Sequence, residues 1–201
     1  MKKIFMMAVM AVAALSANAQ NEVGQFSLMP KAGINISTIT GDVLYDKKSK
    51  VGFVGGVEAE YGIAKNFGLA AGVLYSMEGA KAKVGKAANN AIGMALVDGK
   101  YNLSYINIPI LAQFYPVKGL AIKAGLQPAF KVSAKAKVDS ESAKLEDVKG
   151  FNLSIPVGLS YEYANVVLDA RYNIGLTKLV KDAEQGRNST FAITLGYKFK
   201  L

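Results

Sequence analysis

The feature that most constrains this chain is an alternation of apolar and polar residues with a period of two. Between Val166 and Thr177, apolar residues occupy every even position, and Asp169 and Arg171 lie at odd positions. Successive side chains of a β-strand point to opposite faces of the sheet, so the pattern predicts a strand with one apolar and one polar face. It predicts eight strands, near residues 26–37, 51–61, 67–78, 105–115, 120–133, 151–163, 166–177 and 190–201.

The connections between these strands alternate in length. Residues 62–66, 116–119 and 164–165 form short turns, whereas residues 39–50, 80–100, 134–149 and 179–186 form longer, more polar connections. An even-stranded transmembrane barrel has short periplasmic turns and longer extracellular loops, and its strands need about 9–11 residues each. The sequence therefore predicts an all-β fold, an eight-stranded antiparallel up-and-down transmembrane β-barrel with both termini on the periplasmic side.

The N-terminal residues have the three-part pattern of a secretory signal peptide. Lys2 and Lys3 precede an unbroken apolar run over residues 4–15, and small residues follow up to Ala19. Twelve apolar residues are too few for a membrane-spanning helix, which needs about 20. We therefore expect residues 1–19 to be a signal peptide and residues 20–201 to be one barrel domain in the cell outer membrane. Export makes nucleic acid an improbable partner, despite the net charge of +9.

Charged residues of the predicted strands fall on the faces opposite the apolar ones. They are Lys31, Glu58, Glu60, Glu78, Lys123, Lys131, Glu162, Asp169, Arg171, Lys198 and Lys200. The lumen of an eight-stranded barrel is just filled by side chains, and buried charges need partners. We predict a luminal charge network with a structural role, and a possible ion path, formed by Lys31, Glu58, Glu60, Lys123, Glu162, Asp169, Arg171 and Lys198.

Two residue types that catalysis often uses are missing from the chain. It contains no His and no Cys, so it has no Ser–His–Asp triad, no thiol nucleophile, and neither imidazole nor thiolate for a metal. Glu58 and Glu60 share a strand face and could bind a cation or act as acid and base. The alternative, an ion-paired structural role, is favoured because unpaired buried charges are costly. We predict no enzyme, no catalytic residue, no cofactor and no metal.

Alternation alone does not distinguish a membrane barrel from a soluble exported ligand-binding barrel. Both alternate, but the apolar face points outward in the first and inward in the second. The loop lengths, the absence of a disulfide and the charge-free apolar faces favour the membrane. Aromatic residues gather near both strand ends as two girdles would, although a soluble barrel could hold them in its core. Prolines 30, 109, 128 and 156 fall inside predicted strands, and we expect each to mark a bulge or an edge-like defect.

Lysines in the predicted loop 80–100 could approach anionic lipopolysaccharide.

Several longer segments resemble the small PorT-like, "porin family" outer-membrane β-barrel proteins. They are KAGINISTITG (31–41), GVEAEYGIAKNFGLAAGVLYSMEGAK (56–81), YINIPILAQFYPVKGLAIKAGLQPAF (105–130) and ARYNIGLTKL (170–179). The last residues, TLGYKFKL, are similar to the C-terminal signal that the barrel-insertion machinery reads. This resemblance assigns the signal to Gly196, Tyr197, Phe199 and Leu201, although such signals usually end in an aromatic residue. It implies an eight-stranded barrel and transfers no active-site residue.

The expected function is a non-enzymatic envelope or surface-interaction role. A narrow pore for ions or small solutes and a soluble exported ligand-binding barrel are the alternatives. The expected partners are outer-membrane lipid and lipopolysaccharide, the barrel-insertion machinery during biogenesis, and an unidentified surface or envelope protein.

Overall fold

A computed structural model describes residues 23–40, 48–87, 94–138, 141–144, 150–178 and 187–201. The predicted signal peptide lies outside these residues. The described chain consists of β-strands and tight turns. The strands are β1 (Phe26–Thr40), β2 (Lys48–Ala64), β3 (Phe67–Ala87), β4 (Met94–Asn107), β5 (Ile110–Val117), β6 (Leu120–Val138), β7 (Glu141–Lys144), β8 (Phe151–Tyr163), β9 (Val166–Lys178), β10 (Arg187–Tyr197) and β11 (Phe199–Lys200).

These segments build eight strands of a barrel wall. β4 and β5 are two halves of one strand, because the register with β3 and with β6 is unchanged across the break at Ile108 and Pro109. β10 and β11 likewise pair with β1 in one register on either side of Lys198. β7 forms a short hairpin with the outer end of β6.

The sheet closes on itself. Each strand pairs antiparallel with its neighbours, and β1 pairs with β2 on one side and with β10 and β11 on the other. Closure removes the unpaired edges that an open sheet would expose. The predicted fold class, an eight-stranded antiparallel barrel, is confirmed.

The two faces of the barrel wall differ sharply in chemistry. Along β9, the apolar residues Leu168, Tyr172 and Ile174 are 41–51% exposed on the outside, whereas Asp169 and Arg171 are 3–4% exposed inside. The other strands also expose apolar residues on the outside, and inside they hold polar or charged residues together with a small apolar cluster of Val54, Leu74 and Ala192. A soluble ligand-binding barrel has the reverse arrangement, so the exposed apolar wall favours the membrane. No helix in the described part of the chain is long and apolar enough to cross a membrane.

Short turns join the strands at the end of the barrel that holds the chain's C-terminus. Ala164 and Asn165 connect β8 to β9 and have φ values of 47° and 69°. Two consecutive positive φ values are characteristic of a type I′ turn, whose twist matches that of the strands. Gly119, with φ of 79°, completes the turn between β5 and β6.

Strands at the other end are longer than the sequence pattern predicts. Residues 80–87 and 94–100, expected in a loop, are paired as a β3–β4 hairpin. β6 continues to Val138 and pairs with β7, within the expected loop 134–149. These expectations were wrong because hydrophobic alternation marks only the part of a strand that faces lipid. Backbone hydrogen bonding continues beyond it.

The prolines coincide with gaps in the strand ladders, as expected of edge-like defects, but not with bulges. Pro109 lies at the break between β4 and β5, and Pro128 lies opposite that break on β6. The pairing of β1 with β10 and β11 lapses at Met29 and Pro30, and that of β6 with β8 lapses at Pro156, without a shift of register. Each proline removes a single donor, because a strand residue directs its N–H to only one neighbour. The ladder therefore keeps its register.

Outward-facing aromatic residues form a group near each rim of the barrel. Phe67 and Phe114 are in contact near the short turns, with ring centroids 5.1 Å apart. Phe130 and Phe151 are in contact toward the long hairpins, at 5.6 Å. Such groups are typical of the girdles at the two membrane interfaces.

Candidate functional site in the barrel lumen

The alternation that directs apolar residues outward directs charged residues into the lumen. All eight residues of the predicted charge network are at most 5% exposed. The structure divides them between two clusters. The central cluster contains Lys31, Glu58, Lys123, Asp169 and Arg171. The lower cluster, nearer the short turns, contains Glu60, Glu162 and Lys198.

In the central cluster, three cations share two carboxylates. Asp169 Oδ2 lies 2.9 Å from Lys123 Nζ, 3.0 Å from Arg171 Nη2 and 3.4 Å from Lys31 Nζ. Glu58 contacts the same three cations, at 3.1 Å from Arg171, 3.4 Å from Lys31 and 3.8 Å from Lys123. The residues come from β1, β2, β6 and β9, so the cluster ties opposite sides of the wall together.

Glycines beside the central cluster provide the space for these long side chains. Gly158 lies directly between Lys123 and Arg171 in the register, and Gly56 and Gly196 flank Lys31. A Cβ on Gly158 would lie 2.5 Å from the carbonyl oxygen of Ala170. The backbone of β9 is therefore too close to β8 at this position for any residue larger than glycine.

The lower cluster holds one lysine between two carboxylates. Lys198 Nζ lies 2.6 Å from Glu162 Oε2 and 3.1 Å from Glu60 Oε2. The Tyr115 hydroxyl donates to Glu60 Oε1, and the tyrosine ring lies 5.9 Å from Lys198 Nζ. Lys200, 28% exposed, lies 3.9 Å from Glu162 and marks the periplasmic rim.

A third polar group, the upper cluster, surrounds Glu78 toward the long hairpins. The Glu78 carboxylate accepts hydrogen bonds from Ser76 at 2.8 Å, from Asn107 at 3.3 Å and from Asn188. Sequence reasoning placed Glu78 on the luminal face but missed these neutral partners and Tyr115. The same alternation identifies them as inward-facing, but only the register shows which acid each of them meets.

A small cavity lies between the central and upper clusters. Its volume is about 20 Å³, and it is lined by polar residues that include Lys31, Asp169 and Asn35 and, on one side, by the apolar Val54, Leu74 and Ala192. Among the described residues, five of its polar atoms lack a hydrogen-bond partner: Asn35 Oδ1, Asn107 Oδ1, Arg171 Nε, Asn173 Oδ1 and Thr194 Oγ1. This mixture of donors and acceptors suits water, and the space suits about one molecule.

The charged side chains of the lumen form ion pairs with one another. Glu58 and Glu60 share a strand face, but their shortest ion pairs are with different cations, Arg171 for Glu58 and Lys198 for Glu60. In the part of the chain that the structure describes, no group of three or more His, Cys, Asp or Glu residues could hold a metal ion.

The residues of the predicted insertion signal lie at the closing strand. Tyr197, Phe199 and Leu201 are 44–72% exposed on the lipid side, and the rings of Tyr197 and Phe199 lie 4.8 Å apart. Gly196 faces inward opposite Lys31. The chain end is fixed to the first strand by the hydrogen bond from Leu201 N to Phe26 O, at 2.9 Å.

Comparison with known proteins identifies the family. The family model described as "Outer membrane protein beta-barrel domain" matches residues 18–181. The chain belongs to this family. The narrower PorT-like assignment stays a prediction. No curated protein matches this outer-membrane barrel protein.

Solved structures with the same fold are small outer-membrane barrels. Ail, the attachment invasion locus protein of Yersinia pestis, is 19% identical, with a TM-score of 0.52, over 89% of this chain and 100% of Ail. Neisserial surface protein A is also 19% identical, with a TM-score of 0.52, over 87% of this chain and 97% of that one. A further Ail structure, 21% identical with a TM-score of 0.51 over 89% of this chain and 100% of Ail, holds the heparin analogue sucrose octasulfate.

Proposed function

We propose that this protein is a non-enzymatic integral outer-membrane barrel with a closed lumen, which acts in the envelope or at the cell surface through its extracellular hairpins. Residues 1–19 direct export. The barrel-insertion machinery reads the C-terminal segment with Gly196, Tyr197, Phe199 and Leu201. The chain's lack of His and Cys and the ion pairing of its luminal carboxylates support a role without catalysis.

The observation that carries this proposal is the filled lumen. Three cations and two carboxylates within 2.9–3.8 Å of each other occupy the middle of the barrel. Eight strands enclose a space just wide enough for side chains. The neighbouring cavity, about 20 Å³, is too small for a solute larger than water.

The alternative of a narrow pore requires a water path through the central and lower clusters. Every charged residue of these clusters except Lys200 is at most 5% exposed, and ion pairs connect opposite sides of the wall. The other alternative, a soluble ligand-binding barrel, requires an apolar interior. Here the interior is mainly polar and charged, with a small apolar cluster of Val54, Leu74 and Ala192, and the outer wall is apolar.

Planar bilayer recordings test the closed lumen. The purified protein, inserted into a lipid bilayer in 1 M KCl, is expected to give no steady conductance above the lipid baseline. A wide-lumen porin in the same bilayer serves as the positive control. Steady single-channel steps from the wild-type protein would contradict the closed lumen and support the pore.

A further inference from the structure

The two polar clusters on either side of the small luminal cavity carry opposite excess charges. In the central cluster, three cations meet two carboxylates, which leaves one excess positive charge. In the upper cluster, Glu78 is the only luminal acid of the described residues that has no ion pair, and its carboxylate accepts from neutral donors. Lys50 Nζ donates to the Glu78 backbone carbonyl oxygen, at 2.9 Å. The excess cation and the excess carboxylate thus lie on opposite sides of the cavity.

Arg171 is the cation of the central cluster that has an unused donor at the cavity. Its Nη2 lies 3.0 Å from Asp169 and 3.1 Å from Glu58, but its Nε is buried without a hydrogen-bond partner among the described residues. Thr194, opposite Asp169 in the register, also lines the cavity and has a buried hydroxyl without a partner. A buried donor without an acceptor costs free energy, so an acceptor in the cavity would stabilise Arg171.

Two side-chain amides that line the cavity lead from it to Glu78. Asn107 Nδ2 donates to Glu78 Oε1 at 3.3 Å. Asn35 Nδ2 donates to Ser76 Oγ at 2.7 Å, and Ser76 Oγ donates to Glu78 Oε1 at 2.8 Å. These bonds set the orientation of each amide and leave the Oδ1 atoms of Asn35 and Asn107 buried without partners among the described residues. Each amide therefore has a donor directed to the upper cluster and an acceptor left for the cavity.

We propose that this cavity binds one ordered water molecule, which connects Arg171 to Glu78 across the lumen. The water accepts a hydrogen bond from Arg171 Nε and donates to the Oδ1 atoms of Asn107 and Asn35. The two amides continue the chain of hydrogen bonds to the Glu78 carboxylate. The fourth position around the water suits the Thr194 hydroxyl. A buried water makes about three hydrogen bonds, to polar groups that have no other partner, and a volume of about 20 Å³ holds about one molecule.

The mixed polarity of the cavity favours water over an ion. A small anion would be attracted by the excess charge of the central cluster but would meet the unpartnered oxygens of Asn35, Asn107 and Asn173. A cation would meet Lys31 and Arg171, which line the same cavity. Water both accepts and donates, so it satisfies the two sides at once. The water joins the central and upper clusters into one hydrogen-bonded network.

A crystal structure of the wild-type protein with its ordered waters tests the site directly. We expect one density peak within about 3.2 Å of Arg171 Nε that is also within that distance of Asn107 Oδ1 or Asn35 Oδ1. The absence of a peak, or a peak that reaches neither amide, would overturn the proposal. Crystals grown in NaBr test for an ion, since an anomalous bromide signal at this position would identify an anion and overturn the water.

The variant T194V tests the water through stability, measured by urea titration in lipid vesicles. Valine has nearly the shape of threonine but no hydroxyl. If the hydroxyl bonds to the water, its removal is expected to lower the folding equilibrium constant about fivefold. A hydroxyl without a partner has the opposite effect, because removing an unsatisfied buried polar group leaves folding unchanged or favours it. A T194V protein at least as stable as the wild type would therefore contradict the proposal.

The variant S27A is the matched control. Ser27 Oγ is also buried without a partner among the described residues, but Ser27 does not line the cavity. We expect S27A to be as stable as the wild type or more stable. An equal fall in S27A and T194V would show that the loss is not specific to the cavity, and it would overturn the proposal. If a heat-modifiability gel shows that T194V does not fold, the wild-type crystal structure decides.

Discussion

At the scale of single residues, the lumen depends on two carboxylates that each contact the same three cations. Asp169 and Glu58 contact Lys31, Lys123 and Arg171, and all five are almost fully buried. The cluster therefore carries one excess positive charge. Losing either carboxylate would double that excess among side chains that are almost fully buried.

The variant D169N tests this dependence. It leaves three cations on Glu58, and removing one partner from a buried ion-paired group costs about 3–5 kcal/mol. We expect a loss of that size in the free energy of unfolding, measured by urea titration in lipid vesicles. K118Q, at an exposed residue of the short turn after β5, serves as the control and should change little.

A second variant separates lost charge balance from lost packing. D169N/K123Q returns the central cluster to one excess positive charge, so it should recover at least half of the stability that D169N loses. A D169N protein as stable as the wild type would contradict the charge account. A double variant less stable than D169N would indicate that packing, rather than charge, governs this position.

At the scale of strands, inward-facing glycines decide how close neighbouring strands approach around the central cluster. Gly158 of β8 lies between Lys123 on β6 and Arg171 on β9. The two long side chains extend over a position that has no side chain of its own. β8 therefore links the two cationic strands without occupying the lumen.

The substitution G158A tests this role of β8. Its Cβ would lie 2.5 Å from the Ala170 carbonyl oxygen, so β8 and β9 must separate. Overpacking of this kind costs about 1–3 kcal/mol, and we expect a lower folded fraction on a heat-modifiability gel. G150A is the matched control, because nothing lies within 4 Å of a Cβ at Gly150. Equal folding of the two variants would refute the packing argument.

The strands could be predicted from sequence to the extent that lipid imposes a pattern on them. Val166 to Thr177 alternates because one face meets lipid and the other meets charges. Residues 80–87 continue β3 beyond Met77, its last exposed apolar residue, and include three lysines, so the sequence predicts a loop there. The sequence also indicated which acids and bases enter the lumen. The division into two clusters depends on cross-strand register, which no local pattern contains.

At the scale of the whole molecule, the charge distribution explains an unusual composition. The chain is 51% hydrophobic and yet has a net charge of +9. The apolar residues cover the outside of the wall, and the strand charges lie in a nearly neutral lumen or on the extracellular extension. The composition thus reflects a barrel whose apolar face is on the outside, whereas a soluble barrel has its apolar face inside.

The orientation of the two faces is the central claim, and spin-label accessibility tests it most directly. The chain contains no Cys, so single cysteines can be labelled without background. Labels are placed at each residue from Val166 to Thr177 except Asp169 and Arg171, in protein reconstituted into vesicles. Collision rates with oxygen, which partitions into lipid, are expected to peak at every even position. Peaks at the odd positions, or no period of two, would contradict the lipid-facing wall.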